Sequence, residues 1–192
     1  MSIEFIHVSK SFDEKKVLCD FSCILPESGV VAVMGRSGSG KSTMINLLLS
    51  LMKPDSGKIL IPPHTRFSAV FQEDRLLMHL SARENLRLTT GAASARIDAA
   101  LSALELPPKE KAAVRTYSGG MQRRVALARG VLFDADALLL DEPFRGLDEH
   151  TRSIAIEWVK QEWKNRLIIL VTHDEDEARR MEAQQFIRIE TE

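Results

Sequence analysis

Cysteine, long apolar runs, a surplus of either charge and internal repetition are all scarce in this chain of 192 residues, and each absence removes a class of protein. The two cysteines, Cys19 and Cys23, fall in a stretch, residues 17–25, that reads as a strand. Four residues of strand span about 13 Å, beyond the reach of a disulfide. Two cysteines without a nearby pair of histidines also fall short of a structural zinc site. Both are therefore expected reduced, packed at or near the core. The longest apolar runs, residues 30–34 and 167–171, are five residues each, and a membrane helix needs about 20. Lys and Arg number 26 against 27 Asp and Glu, a net charge of −1. That balance gives no electrostatic reason to expect bound nucleic acid or a membrane-coating face. The opening Met1-Ser2-Ile3-Glu4 has no charged-then-apolar export pattern, so a cytosolic protein is expected.

What remains is a globular composition, 44% hydrophobic and 28% charged. A chain of this size buries about 70% of its unfolded surface and holds a core without cross-links. Strand signals fall at residues 3–8, 17–25, 30–34, 58–61, 67–71, 137–140, 167–171 and 186–189. Several are continuous apolar runs, as in central strands covered on both faces, while the early ones alternate more, as in an antiparallel flank. Helical patterns at 41–52, 121–133 and 151–164 separate the later strands. The spacing from Asp141 to His173 suits one βαβ crossover. Residues 81–113 contain no good strand. Ser81-Ala82-Arg83-Glu84 fits a capping box; Ile97, Leu101 and Leu104 share one helical face, and Pro107-Pro108 ends it. The expectation is an α/β fold, a parallel-core sheet with an antiparallel β flank and a small inserted helical lobe.

Three constellations carry chemistry. Gly35-Arg36-Ser37-Gly38-Ser39-Gly40-Lys41-Ser42 matches G-x-x-x-x-G-K-[ST] between a strand pattern and a helical pattern, the setting a phosphate-binding loop requires. Its glycines let amides turn onto phosphate oxygens, Lys41 brings a charge to the β and γ phosphates, and Ser42 can ligate Mg²⁺. Thr43 follows at the helix start. Downstream, Leu138-Leu139-Leu140-Asp141-Glu142 ends an apolar strand in two acids, at the sheet edge where nucleotides sit. Asp141 suits Mg²⁺, and Glu142 suits proton abstraction from water. Third, Ser118-Gly119-Gly120-Met121-Gln122 opens a helix whose apolar face is Val125, Ala128 and Leu132, with Arg123 and Arg124 pointing elsewhere. Small residues at a positive helix end make either a plain cap or a second anion site.

These motifs in this order, with Gln72, Gly146-Leu147-Asp148 and His173, resemble the ATP-binding subunits of ABC transporters over nearly the whole chain. The likeness is greatest to bacterial importer ATPases of the nitrate, sulfonate and taurine group. The resemblance implies a P-loop NTPase that uses ATP and Mg²⁺, with its core in residues 1–72 and 118–192 and its helical lobe in 73–117. It implies a head-to-tail dimer with a second copy, each ATP lying between one subunit's phosphate loop and the other's Ser118-Gly119-Gly120. Phe12 matches the adenine-stacking aromatic, Gln72 the glutamine that contacts Mg²⁺ and water, His173 the γ-phosphate histidine, and Asp148 the aspartate crossing the dimer interface. Membrane permease subunits and a substrate-binding protein are the further partners implied, with the subunit cytoplasmic on the inner face of the membrane. The apolar run within residues 73–80 resembles the segment that receives a permease helix.

The chain departs from the family at Tyr117 and Met121, where leucine and glutamine are usual, and at Arg145-Gly146, where serine-alanine is commoner. The stretch between Gln72 and Ser118 is short for the family. The chain also stops soon after His173, so the extra regulatory domain of some importer ATPases is expected to be absent. The competing readings are a soluble ABC-type ATPase in a role such as cluster assembly, and a nucleotide-binding module without catalysis. Glu142 and His173 together argue against the latter.

Overall fold

A computed structural model describes residues 2–13, 15–36, 38–107 and 111–189. The strands are β1 (Ile3–Phe12), β2 (Lys15–Leu25), β3 (Gly29–Met34), β4 (Ser56–Leu60), β5 (Phe67–Val70), β6 (Ala137–Asp141), β7 (Leu167–Val171) and β8 (Gln185–Arg188). The helices are α1 (Lys41–Leu48), α2 (Ala82–Thr90), α3 (Ser94–Ala103), α4 (Gly119–Leu132), α5 (Glu149–Glu162) and α6 (Glu175–Arg180). A parallel sheet runs in the order β5-β6-β7-β3-β8, and an antiparallel sheet in the order β2-β1-β4.

Every residue of β6 and β7 is buried, as continuous apolar runs require in a sheet covered on both faces. Alternate side chains divide between two cores. Leu138, Leu140, Ile168 and Leu170 join α4, α5 and the α2–α3 lobe. Leu139, Ile169, Val31 and Val33 face α1 and the antiparallel sheet. The molecule is thus layered: helices, parallel sheet, then α1 with the antiparallel flank.

Several ends differ from the sequence expectation for local reasons. Helix α4 starts at Gly119 because Ser118 is its N-cap, accepting from the Met121 amide at 3.2 Å. Helix α5 starts at Glu149 because Asp148 caps it through the Thr151 amide. Helix α1 stops at Leu48, and Ser50 turns left-handed at φ 55°. The capping box on α2 is present in both directions. Helix α3 closes at Leu104, before Pro107, and Pro108 lies outside the described residues. Both cysteines are free and Cys23 packs against the core, as expected, but the placement of Cys19 is a correction. Strand β2 edges its sheet with only Val17, Leu18 and Leu25 turned fully inward, so Cys19 is exposed and Cys23 half-buried. Burial pushes the Cys23 thiol up to about 12.

Helix α4 lies flush on β5. A methyl at Gly130 would stand 2.4 Å from Val70 Cγ2, and the Ser68 hydroxyl donates to the Gly130 carbonyl at 2.6 Å. Alanine ordinarily improves a helix by about 1 kcal/mol over glycine. Here Gly130→Ala is expected to destabilise the fold by about 1–3 kcal/mol through overpacking, read as a lower denaturation midpoint. A higher midpoint would show that the helix has room to move off the sheet.

Candidate active site

Four parallel strands deliver the site from their carboxyl ends. Strand β3 runs into Gly35, β5 into Phe71 and Gln72, β6 ends on Asp141 before Glu142, and β7 leads to Thr172 and His173. The β7-β3 and β6-β7 pairings set Asp141 beside Val171, so the loops that follow converge along one edge.

Gly40, the residue before α1, has φ 104°, and a methyl there would meet Val17 Cγ1 at 2.6 Å. Only glycine fits that combination of torsion and contact. Lys41 is buried, and its ammonium donates to the carbonyls of Gly35 and Arg36 at 2.8 Å each, drawing the loop around it. Ser39 Oγ, also buried, has no hydrogen-bond partner among the described residues. The loop separates two cavities. One of about 630 Å³ is lined by Phe12, Gly38, Lys41, Ser42 and Thr43. Another of about 570 Å³ is lined by Gly35, Arg36, Ser39 and His173. Both volumes lie in the range of small-ligand sites. A buried lysine, an orphaned serine hydroxyl and a side-chain-free turn suit the polyphosphate of a nucleotide. Ser37 lies outside the described residues.

The acids lie across from this loop. The Ser42 hydroxyl donates to Asp141 Oδ2 at 2.8 Å, putting two oxygen donors of the kind Mg²⁺ prefers side by side. Burial pushes the Asp141 carboxyl up, the Ser42 hydrogen bond opposes it, and neighbouring Glu142 adds to the rise. Glu142 sits in the left-handed region at φ 49°, its amide donating to the Val171 carbonyl at 2.9 Å. Its Oε1 lies 2.8 Å from His173 Nδ1. That hydrogen bond, then the carboxylate charge, pushes the His173 imidazole up from its ordinary value.

The other expected residues form a second locale. Ser118 and Gly119 are exposed at the head of α4. Gly120 abuts the next loop, where a methyl would lie 3.6 Å from Leu147 Cδ2. Asp148, capping α5, is held below the usual carboxylate range by the Thr151 amide and hydroxyl. Among the described residues no hydrogen bond joins Ser118, Gly119, Gly120 or Asp148 to the phosphate loop. Phe12 is 45% exposed at the mouth of the larger cavity, and Gln72 is exposed after β5.

Two residues that the sequence reading did not single out organise these loops. Arg123, expected to point away, is buried; it bonds to the carbonyls of Phe71, Asp141, Glu142 and Pro143 and to the Asp74 carboxylate. Asn85, fully buried, accepts from the Leu77 amide and donates to the Leu77 and Ser81 carbonyls. Its bonds fix a turn that buries Leu76 and leaves Leu77 and Met78 exposed. A charged residue at core spacing and a lone asparagine carry no signal until their distant partners are known.

A glycine loop cradling a lysine, faced by a strand-end aspartate on a parallel sheet, defines a P-loop nucleotide-binding fold. A family model described as ABC transporter matches residues 18–145, and the chain belongs to that family. It is 38% identical over 180 residues to the aliphatic sulfonates import ATP-binding protein SsuB 2 of Pseudomonas syringae pv. syringae (strain B728a), covering 92% of this chain and 65% of that protein. It is 38% identical over 180 residues to the thiamine import ATP-binding protein ThiQ of Chelativorans sp. (strain BNC1), covering 84% of this chain and 73% of that one. The chain thus spans about two thirds of the sulfonate protein's length. A dimeric ATP-binding cassette solved after hydrolysis with ADP and Pi superposes at TM-score 0.85, with 28% identity over 98% of this chain and 94% of that one. A bacterial Atm1-family ABC exporter with ATP bound superposes at 0.89, with 25% identity over 98% of this chain and 37% of that one.

The Glu142–His173 pair gives a pH dependence. Because the folded pKa of His173 is raised above about 6.5, the pair contributes fully below the unfolded value, and the contribution fades as pH rises through the folded one. Solvent exposure of the ring keeps that contribution small. Without nucleotide or Mg²⁺, the NMR titration midpoint of His173 is expected above its ordinary value and should fall back in Glu142→Gln. An equal midpoint in both proteins would dissolve the pair.

Proposed function

We propose that this chain is the ATP-binding and ATP-hydrolysing subunit of a transporter that imports a small substrate through a separate membrane permease. The supporting observation is the meeting of Ser42–Asp141 and Glu142–His173 beside the phosphate loop. Lys41 and the loop amides bind the β and γ phosphates, and Phe12 stacks on the adenine. Ser42, Asp141 and Gln72 hold Mg²⁺, which when bound screens the charge gathering on the phosphates. Glu142 takes a proton from the attacking water, and His173, oriented by Glu142, faces the γ-phosphate.

The second locale serves a second copy. Ser118, Gly119 and Gly120 present a helix N-terminus to the partner's nucleotide, and Asp148 lies at the subunit boundary. The core and lobe divide as residues 1–72 with 118–192, and 73–117. Import, over soluble work, is favoured by relatives named as import ATP-binding proteins. Among the described residues no helix is long and apolar enough to cross a membrane, which suits a subunit that reaches the bilayer through its permease. The subunit then lies on the cytoplasmic face, and a substrate-binding protein delivers cargo to the permease. Leu77 and Met78, held outward by the Asn85 turn, form the permease contact.

Glu142→Gln is expected to lower hydrolysis by roughly 10²–10⁴-fold, the usual worth of a general base, while sparing ATP binding. With ATP and Mg²⁺ it should sediment as a dimer. A monomer under those conditions would count against the two-copy site. Leu77→Asp places its charge in solvent in the free subunit, so melting temperature and basal ATPase rate should hold while capture of the permease is lost. Retained capture would remove this segment from the contact.

A further inference from the structure

The side chain of Arg123 spends its whole hydrogen-bonding capacity on two loops. Nε donates to the Pro143 carbonyl at 2.8 Å. Nη2 donates to the carbonyls of Asp141 at 2.9 Å and Glu142 at 2.7 Å. Nη1 donates to the Phe71 carbonyl at 2.6 Å and Asp74 Oδ1 at 3.0 Å, with the Gln72 carbonyl at 3.5 Å. A guanidinium has five N–H groups, and five close acceptors surround this one. Three of them come from consecutive residues centred on Glu142, whose left-handed torsion is uncommon for a side chain of its size. Such a torsion persists where its surroundings over-determine it. The remaining acceptors belong to the segment that carries Gln72.

We propose that Arg123 is a positioning residue for hydrolysis: its fork locks the Glu142 backbone in the left-handed conformation and ties it to the Gln72 segment. It reaches no reacting atom and acts through Glu142, so the inference rests on Glu142 being the general base. Lysine is not a substitute. Its three donors radiate from one point and cannot span two loops that a planar fork joins. The arrangement also mechanically links the Gln72 loop, which adjoins the exposed Leu77–Met78 turn, to the base.

The measurement is ATP affinity by equilibrium titration, with kcat and KM, on the full chain carrying Arg123→Lys, Asp74→Asn or Arg129→Lys. Arg129 is the control. It leaves the same helix for the Asp74 and Arg75 carbonyls and, among the described residues, makes no hydrogen bond to residues 141–143. Arg123→Lys is expected to lose roughly 10- to 100-fold in kcat with ATP affinity within about twofold, and Asp74→Asn to lose a smaller share of kcat; loss of a buried charged contact sets that scale. Arg129→Lys should keep kcat even if its melting temperature falls. Adding Arg123→Lys to Glu142→Gln should cost nothing more in single turnover. Unchanged kcat in both Arg123→Lys and Asp74→Asn overturns the proposal, as does an equal loss in Arg129→Lys or a fully additive double variant. Should Arg123→Lys not fold, Asp74→Asn decides by the same kcat criterion. Full hydrolysis by Glu142→Gln would instead strike the reading of the base, and the proposal with it.

Discussion

A strand buried on both faces has no place for a polar side chain until it ends. That constraint governs this molecule. Strands β3, β6 and β7 are apolar throughout their interiors, and unpaired polar groups there would each cost several kcal/mol, on the order of 2–7. Polar chemistry is therefore expelled to the carboxyl termini, where the phosphate loop, Asp141-Glu142 and Thr172-His173 emerge side by side. The pairing of β6 with β7 and β7 with β3 turns three separate stretches of sequence into one edge.

Much of this was legible because it was written as local pattern. The run 138–142 announces both the buried strand and the acids that end it. The glycine loop announces its own torsions, and Ser81–Glu84 its own cap. What failed to read were features whose meaning lies elsewhere in the chain. Helical periodicity gave α4 one apolar face, yet the helix is buried nearly all round, because the sheet lies on one side of it and the lobe helices on the other. Arg123 then sits inside, tolerated only because the Phe71 carbonyl, the Asp74 carboxylate and the carbonyls of residues 141–143 gather around it. Helices α4 and α5 each start two residues before their sequence patterns because Ser118 and Asp148 cap them, and the first-turn residues Gly119-Gly120 and Glu149-His150 carry no apolar periodicity to mark the start.

The same residues can hold both duties. Ser118 satisfies its own helix through the Met121 amide and still lies exposed at the helix head; Asp148 caps α5 and still faces outward. Capping fixes where these groups stand in the free chain, so a second copy docking there, as proposed, would meet them already ordered. Preorganisation of that kind lowers the conformational cost of association.

Helix α4 joins the most widely separated parts of this arrangement, and its two ends are held unequally. At the far end Gly130 rests on Val70 with no space for even a methyl, and Ser68 pins its carbonyl. At the near end the helix head is exposed, with open space around Gly119. Close-packed contacts resist compression and transmit displacement. A side chain added at Gly119 therefore meets solvent, while one at Gly130 is carried straight into the sheet, so α4 can vary at its head and not at its seat.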